Sequence, residues 1–356
     1  MPSTLRYLAA EVLRPLPLSA LAWLMPRDPI GFYYHTVGER QLPYVRHLNT
    51  CKTPRQFESD LEFLSRNYRP VSYADIEHGR SRVRDRRARV IVTFDDGLRE
   101  CGGIVRTLLL KHGIPAIFFV TTDFLDNRRL FYKHKVSLCV EEYLRLARVD
   151  QLSARKDLSA ILNVPIRRTS SVIAILKGLK ASDEDRLDAV CARLGVDPDA
   201  FLRAANPYLS SAEVVSLATD GFTIGAHGRS HVSLAAMTPE EAEADIVDSC
   251  TRVGRLIGSA SVPYAFPFNG RGVSAALLRK VREKHPEVGL FFDTQGMGAD
   301  NADVINRIGV EGPRLRGVIS VPTALRRAYV TELKRVVMGP RTRKARIAGD
   351  GAPLDR

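Results

Sequence analysis

A series of short apolar runs, rich in β-branched and aromatic residues, constrains this chain more than any other feature. They are Ile30–Tyr34, Arg89–Phe94 (RVIVTF), Ala116–Thr121 (AIFFVT), Phe222–Ala226, Ser261–Phe266 and Gly289–Phe292. Runs without polar alternation read as strands buried on both faces, the signature of a parallel sheet. Helical patterns lie between them. Thr53-Pro-Arg-Gln56 is a capping box with Pro at the first helical position. It opens a helix through about Leu64 with Phe57, Leu61 and Leu64 on one face. Residues 102–112 look helical and close at Gly113. Thr238-Pro-Glu-Glu241 caps a helix to about Ile257, and another is expected around 274–284. Strand and helix in alternation predict βαβ units, an α/β class, and a closed or nearly closed barrel.

One segment breaks the rhythm. Between Asn127 and Ser210 strand signals are scarce, while helical patterns occupy roughly 136–147, 169–180 and 183–194. This reads as a helical insertion in the barrel, over about 127–210. Ser210-Ser-Ala-Glu213 then caps a short helix ended by Gly221. The expected organisation is an amphipathic N-terminal segment over 1–28, a barrel domain over 29–325, and a basic tail over 326–356. Disorder is expected beyond Gly339.

The 356 residues, 45% hydrophobic and 26% charged, exclude a disulfide-stapled miniature fold and wholesale disorder. The N-terminal run LAAEVLRPLPLSALAWLM over 8–25 is interrupted by Glu11, Arg14, Pro15 and Pro17. The apolar stretch after Arg14 is too short to span a bilayer, so a surface-lying or core-packing segment is expected. The net charge of +13 suits an anionic partner such as a membrane surface, and the basic residues crowd at Arg341, Arg343, Lys344 and Arg346. A merely basic soluble protein accounts for the same charge. The five cysteines are scattered and form no CxxC pair, which favours a reducing compartment.

Polar clusters directly after the apolar runs carry the chemistry. In parallel α/β folds ligand sites lie at the carboxyl ends of strands. Thr93-Phe94-Asp95-Asp96-Gly97 places adjacent acids there, one able to face a metal while the other faces substrate. An Asp-Asp-Gly surface turn is the competing reading. His227-Gly-Arg-Ser-His231 comes directly after the run ending at Ala226, and two imidazoles four apart can reach one ion. Two histidines with one carboxylate leave open positions on a divalent metal, as catalysis requires. Surface or capping histidines are the alternative. Tyr264-Ala-Phe-Pro-Phe-Asn-Gly270 and Tyr33-Tyr34-His35 also stand at strand ends, although the first alone reads as an ordinary strand-to-turn junction and His35 alone as a satisfied core histidine. The remaining histidines, His47, His78, His112, His134 and His285, are expected to be structural.

TFDDG at 93–97 followed by HGRSH at 227–231 resembles the polysaccharide deacetylases of the NodB-homology type, which are carbohydrate esterase family 4-like. Gly225 and Ala226 before the first histidine and Leu234 after the second extend the resemblance, as do TPRQFESDLEFL and YAFPFNG. It covers roughly 29–310, with the insertion as a departure. The resemblance implies a distorted (β/α)7-type barrel and metal-dependent removal of an acetyl group from a sugar. By motif position Asp95 becomes the general base, and Asp96, His227 and His231 the ligands of a divalent metal, most often Zn²⁺. A backbone N–H at Phe268, after Pro267, is the counterpart of the family's oxyanion donor. The family's late Leu-x-His motif, source of the general acid, is absent, for no histidine lies beyond His285. A subgroup places the acid near the N-terminal strand, and His35 fits that pattern. The arginine that holds the base is missing from the third motif, and Arg307 in NRIGV is the candidate to orient Asp95.

The expected function is therefore metal-dependent hydrolytic deacetylation, chiefly N-deacetylation, of an acetylated amino sugar in a glycan or glycolipid precursor. A catalytically silent glycan-binding relative is the alternative, disfavoured because both acids and both histidines are present. A basic nucleic-acid- or membrane-binding protein is the other, and no recognised nucleic-acid motif supports specific nucleic-acid binding. The carbohydrate substrate and an anionic membrane face are the expected partners. Localisation is expected to be cytoplasmic or peripheral at the inner membrane face.

Overall fold

The computed structural model describes residues 16–25, 28–79, 87–297, 303–311 and 318–338. Its chain order begins α1 (Leu18–Leu24), β1 (Ile30–Tyr34), α2 (Pro54–Asn67), β2 (Arg69–Pro70), α3 (Tyr73–Glu77), β3 (Arg89–Phe94), α4 (Ile104–His112) and β4 (Ala116–Val120). The helices α5 (Tyr132–Arg145), α6 (Arg148–Leu162), α7 (Thr169–Gly178), α8 (Glu184–Leu194) and α9 (Pro198–Ala205) come next without a strand. Then come α10 (Ser211–Thr219), β5 (Thr223–Ala226), α11 (Pro239–Ile257), β6 (Val262–Ala265), α12 (Ala275–Lys284), β7 (Val288–Asp293), β8 (Val304–Gly309) and α13 (Val321–Met338).

Every strand pairing is parallel, in the order β1-β8-β7-β6-β5-β4-β3-β2, and β1 also pairs with β3. That last pairing closes a ring of seven strands and leaves β2 outside it, against the start of β3. The expected (β/α)7 barrel is thus present. β4 is buried throughout, and β3 at every position after Arg89. That is why both read as unbroken apolar runs. The side chains of Ile91, Ile117, Phe119, Ala265 and Phe292 pack together as one core cluster. Full burial of each large apolar side chain contributes about 1.5–3 kcal/mol.

The barrel also holds a charge. Arg307 on β8 is fully buried, with its guanidinium 5.1 Å from the Phe119 ring centre and 5.2 Å from that of Tyr33. Gly31 on the neighbouring β1 makes room for it, since a Cβ there would lie 2.7 Å from Arg307 Cγ and 2.9 Å from the Asn306 carbonyl. β8 is absent from the strands read in the sequence because Asn306 and Arg307 interrupt its apolar run.

The capping box predicted at Thr53 forms, with Thr53 Oγ1 accepting from Gln56 N and Gln56 Oε1 from Thr53 N. α2 buries Phe57, Leu61 and Leu64 as expected. It also buries Asp60, which ion-pairs with Lys52 and accepts from Val321 N at 3.0 Å. The boxes at Ser210 and Thr238 form as well.

The helices α5–α9 have a core of their own kind. Val136, Val140, Leu158, Val172, Leu176 and Val190 are all sealed from solvent. This core continues through Phe124, Phe131 and Tyr208 towards the barrel loops. Two helices here, α6 and α9, are additions to the sequence reading. By internal packing the chain divides into residues 1–26 with 325–356, and residues 27–324. Within the former, Arg326 donates to the Leu16 carbonyl at 2.6 Å, and Trp23 is 81% exposed. Among the described residues no helix is long and apolar enough to cross a membrane. The stretch before Leu16, the basic cluster from Arg341 to Arg346 and the expected disorder beyond Gly339 lie outside the described residues.

Candidate active site and metal centre

A cleft of about 330 Å³ opens at the carboxyl ends of the strands, where a parallel barrel concentrates functional side chains. Asp95 and Asp96 enter it from the end of β3, His35 from β1, and His227 and His231 from the loop after β5. Phe268 stands just after β6. The tight turns that aim these groups require left-handed backbone at Asp96 (φ 71°), His231 (φ 55°) and Phe268 (φ 61°). Such conformations in non-glycine residues cost about 1–3 kcal/mol each and concentrate at functional sites. Between the histidines, Gly228 is left-handed too, and a Cβ there would lie 2.9 Å from Asp245 Oδ2.

Asp96, His227 and His231 are buried, and their ligand atoms lie within 4.8 Å of one another. His227 Nε2 is 3.4 Å and His231 Nε2 3.1 Å from Asp96 Oδ1, yet that oxygen has no hydrogen-bond partner among the described residues. His227 Nδ1 lies 2.9 Å from the Ala265 carbonyl. A carbonyl only accepts, so Nδ1 carries the proton and neutral His227 presents a lone pair at Nε2. A lone pair facing an unpartnered buried carboxylate oxygen is unfavourable until a cation stands between them. The set therefore fits a divalent metal.

Asp95 is held from inside the barrel. Arg307 Nη1 donates to Asp95 Oδ1 at 2.6 Å and Nη2 to Oδ2 at 2.9 Å, while Nη1 also reaches Thr93 Oγ1 at 2.8 Å. Burial opposes ionisation here, but the Arg307 guanidinium keeps the Asp95 carboxyl below its ordinary value. His35 is held from β8's far end. Its Nδ1 lies 2.6 Å from Glu311 Oε2, and Glu311 Oε1 accepts from the backbone N–H of His35 at 2.8 Å and of Thr36 at 3.2 Å. Burial alone would lower the imidazole pKa, but the Glu311 carboxylate overrides it and raises it to about 9.

All of Asp95, Asp96, His35, His227, His231 and Phe268 line one cleft. Arg307 lies beneath it, and Pro267 is buried at its edge. Glu311, Phe131 and His47 are among the site residues that the sequence did not point to. Glu311 comes after the unread strand β8 and looks like a turn acid before Gly312 and Pro313. Phe131, from the insertion, sets its ring 4.3 Å from that of His231. His47, expected to be structural, lines the cleft because Glu141 on α5 takes its Nε2 at 2.6 Å. No local sequence signal marks that pairing, which spans 94 residues. Tyr264 turns away from the cleft and donates to Asp245 at 3.2 Å.

Neither protein-family models nor curated proteins match this chain. Among solved structures it is similar to the Streptococcus pyogenes deacetylase PplD in complex with acetate, with TM-score 0.50 and 12% identity over 80% of this chain and 92% of that one. It is also similar to IcaB from Ammonifex degensii (TM-score 0.49, 13% identity, 85% and 97% covered). A third is a de-N-acetylase from Aggregatibacter actinomycetemcomitans (TM-score 0.45, 13% identity, 79% and 93% covered). At such identities likeness speaks to architecture, and the match to PplD is the one that bears on it. The fold of this chain is the (β/α)7 barrel of the NodB-type polysaccharide deacetylases.

Proposed function

We propose that this protein is a metal-dependent hydrolase that removes the N-acetyl group from an amino sugar in a glycan or glycolipid precursor. The observation that carries this reading is the buried Asp96–His227–His231 set beside a carboxylate fixed by Arg307. The set would hold a divalent cation, zinc by preference for this donor chemistry, which when bound supplies Lewis acidity towards the acetyl carbonyl. Asp95 accepts the proton of the attacking water. Arg307 orients that carboxylate and keeps it ionised until it takes the proton. As the C–N bond breaks, His35 delivers a proton from Nε2 to the departing nitrogen, and acetate and the free amine are the products. Glu311 holds the Nδ1 proton of His35, fixing which nitrogen faces the cleft. The N–H of Phe268, on the turn after Pro267, serves as oxyanion donor. The name of PplD, a deacetylase with acetate bound, agrees with this reaction class.

The reaction is assigned to the cytoplasm or the inner face of an anionic membrane. Supporting this are five free, buried cysteines and the exposed Trp23 and Leu24 on α1 of a chain with net charge +13. Fractionation that finds the protein wholly outside the cell removes this assignment.

Acetate release from N-acetylglucosamine oligomers and crude bacterial glycan tests the activity, with metal-loaded wild type beside Asp95→Asn and His227→Ala. Release by wild type and loss in both variants is expected. A protein that takes up no metal after loading overturns the reading in favour of a glycan-binding relative.

A further inference from the structure

The helical insertion supplies one wall of the cleft, and that wall carries unbalanced positive charge. Its first residues lie against the metal set, for the Phe131 ring sits 4.3 Å from that of His231 and 6.3 Å from that of Phe268. Lys133, two residues on and so within about 7 Å of chain, lines the same cleft, as does Lys177 near the end of α7. Lys133 Nζ donates to the carbonyls of Lys177 at 2.8 Å and Leu179 at 2.7 Å. An ammonium has three donors, so one remains for a ligand.

Among the described residues no carboxylate pairs with either lysine. Elsewhere in the insertion such pairing is the habit: Lys135 with Glu184 and Asp188, Arg193 with Asp157, Arg145 with Glu142. Among the described residues the only acids lining the cleft are Asp95 and Asp96, and these face Arg307 and the two histidines. Burial, and then the like charge of Lys177, lower the pKa of Lys133, with Asp183 pulling the other way more weakly. A neutral amino sugar leaves both cations without a paired carboxylate, whereas an anion on the substrate can pair with both.

We propose that Lys133 and Lys177 form an anion subsite that selects substrates carrying a phosphate beside the acetylated sugar. Phosphate is favoured over carboxylate because a phosphomonoester carries nearly two negative charges and can face both ammonium groups, whereas a carboxylate carries one. The subsite deepens the deacetylase reading and rests on it for the chemistry at the other end of the cleft.

The test uses the full-length, metal-loaded protein with three probes: N-acetylglucosamine 1-phosphate, the neutral methyl glycoside, and the carboxymethyl glycoside. Affinity is measured by calorimetry and acetate release separately. The phosphate probe is expected to bind about tenfold more tightly than the methyl glycoside. That advantage shrinks as salt rises. Lys177→Ala cuts it severalfold, and Lys177→Arg restores most of it. Equal affinity for all probes overturns the subsite, as does a phosphate preference that survives both Lys177→Ala and Lys133→Ala, since the metal set then binds the phosphate. Tighter binding of the carboxymethyl probe overturns the phosphate assignment. Lysine-dependent phosphate binding with no acetate released from any probe upholds the subsite and removes the deacetylase reading instead.

Discussion

The barrel and the helical insertion bury their interiors by opposite means. The insertion seals Leu158, Val172, Leu176 and Val190 in an apolar core and pairs its buried Lys135 with the more exposed Glu184 and Asp188. The barrel buries a full ion pair, Arg307 with Asp95, among Tyr33, Phe119 and Phe292. A buried pair is seldom the most stabilising filling for a core. On the proposed mechanism, the barrel atoms that pack here are also the atoms that act. In the insertion the two tasks mostly fall to different residues: Lys133 and Lys177 meet the cleft, and of its core only Phe131 reaches it.

The sharpest way to break this contrast is in the barrel. His227→Ala is expected to lower kcat/KM by on the order of 10³-fold or more, with bound metal lost by elemental analysis. An active, metal-replete variant would falsify the assignment of the ligand set. Arg307→Met comes next. It strands a buried carboxylate, so denaturant unfolding should show a loss of about 3–5 kcal/mol, and residual activity should rise with pH as Asp95 ionises less readily. A variant as stable as wild type places the value of the pair elsewhere.

His35→Gln is expected to cost about 10²-fold in kcat/KM. In wild type the acid must be protonated, and Glu311 raises its pKa to about 9. Activity should therefore persist to about pH 9 and fall above it. Glu311→Gln moves that fall to lower pH. The stability His35 gains from Glu311 is complete below its unfolded value near 6.5 and fades as pH rises through about 9. An unmoved alkaline limb in Glu311→Gln would show that His35 is not the acid. The smallest catalytic effect belongs to the insertion: Leu158→Ala should lower stability by about 2–5 kcal/mol with little change in kcat. A large kcat loss with folding intact would mean that the two regions are not separable in this way.

The legible parts of the sequence were those where burial and chemistry occupy different residues. TFDDG and HGRSH read clearly because their acids and imidazoles stand within five residues of the end of a mainly apolar strand. β8 did not read as a strand because the residue that matters most in it points inward as a charge. Glu311 was hidden with it, since its partner His35 lies 276 positions away. In the insertion, α6 buries only Ala154, Leu158 and Leu162, a stripe too narrow to stand out among its polar residues. His47 owes its place to Glu141 on another element, and no window of sequence contains both.

Because β1 pairs with both β3 and β8, the ring closes at the strand made last. Asp96, His227 and His231 all precede that strand in the chain, whereas Arg307 and Glu311 arrive on it or just after it. During synthesis, then, a chain can present its metal-binding side chains well before its acid and base acquire their partners. On the proposed mechanism, the acid and the base would gain their partners only once the circle is complete, so a half-made chain would be expected to stay chemically idle.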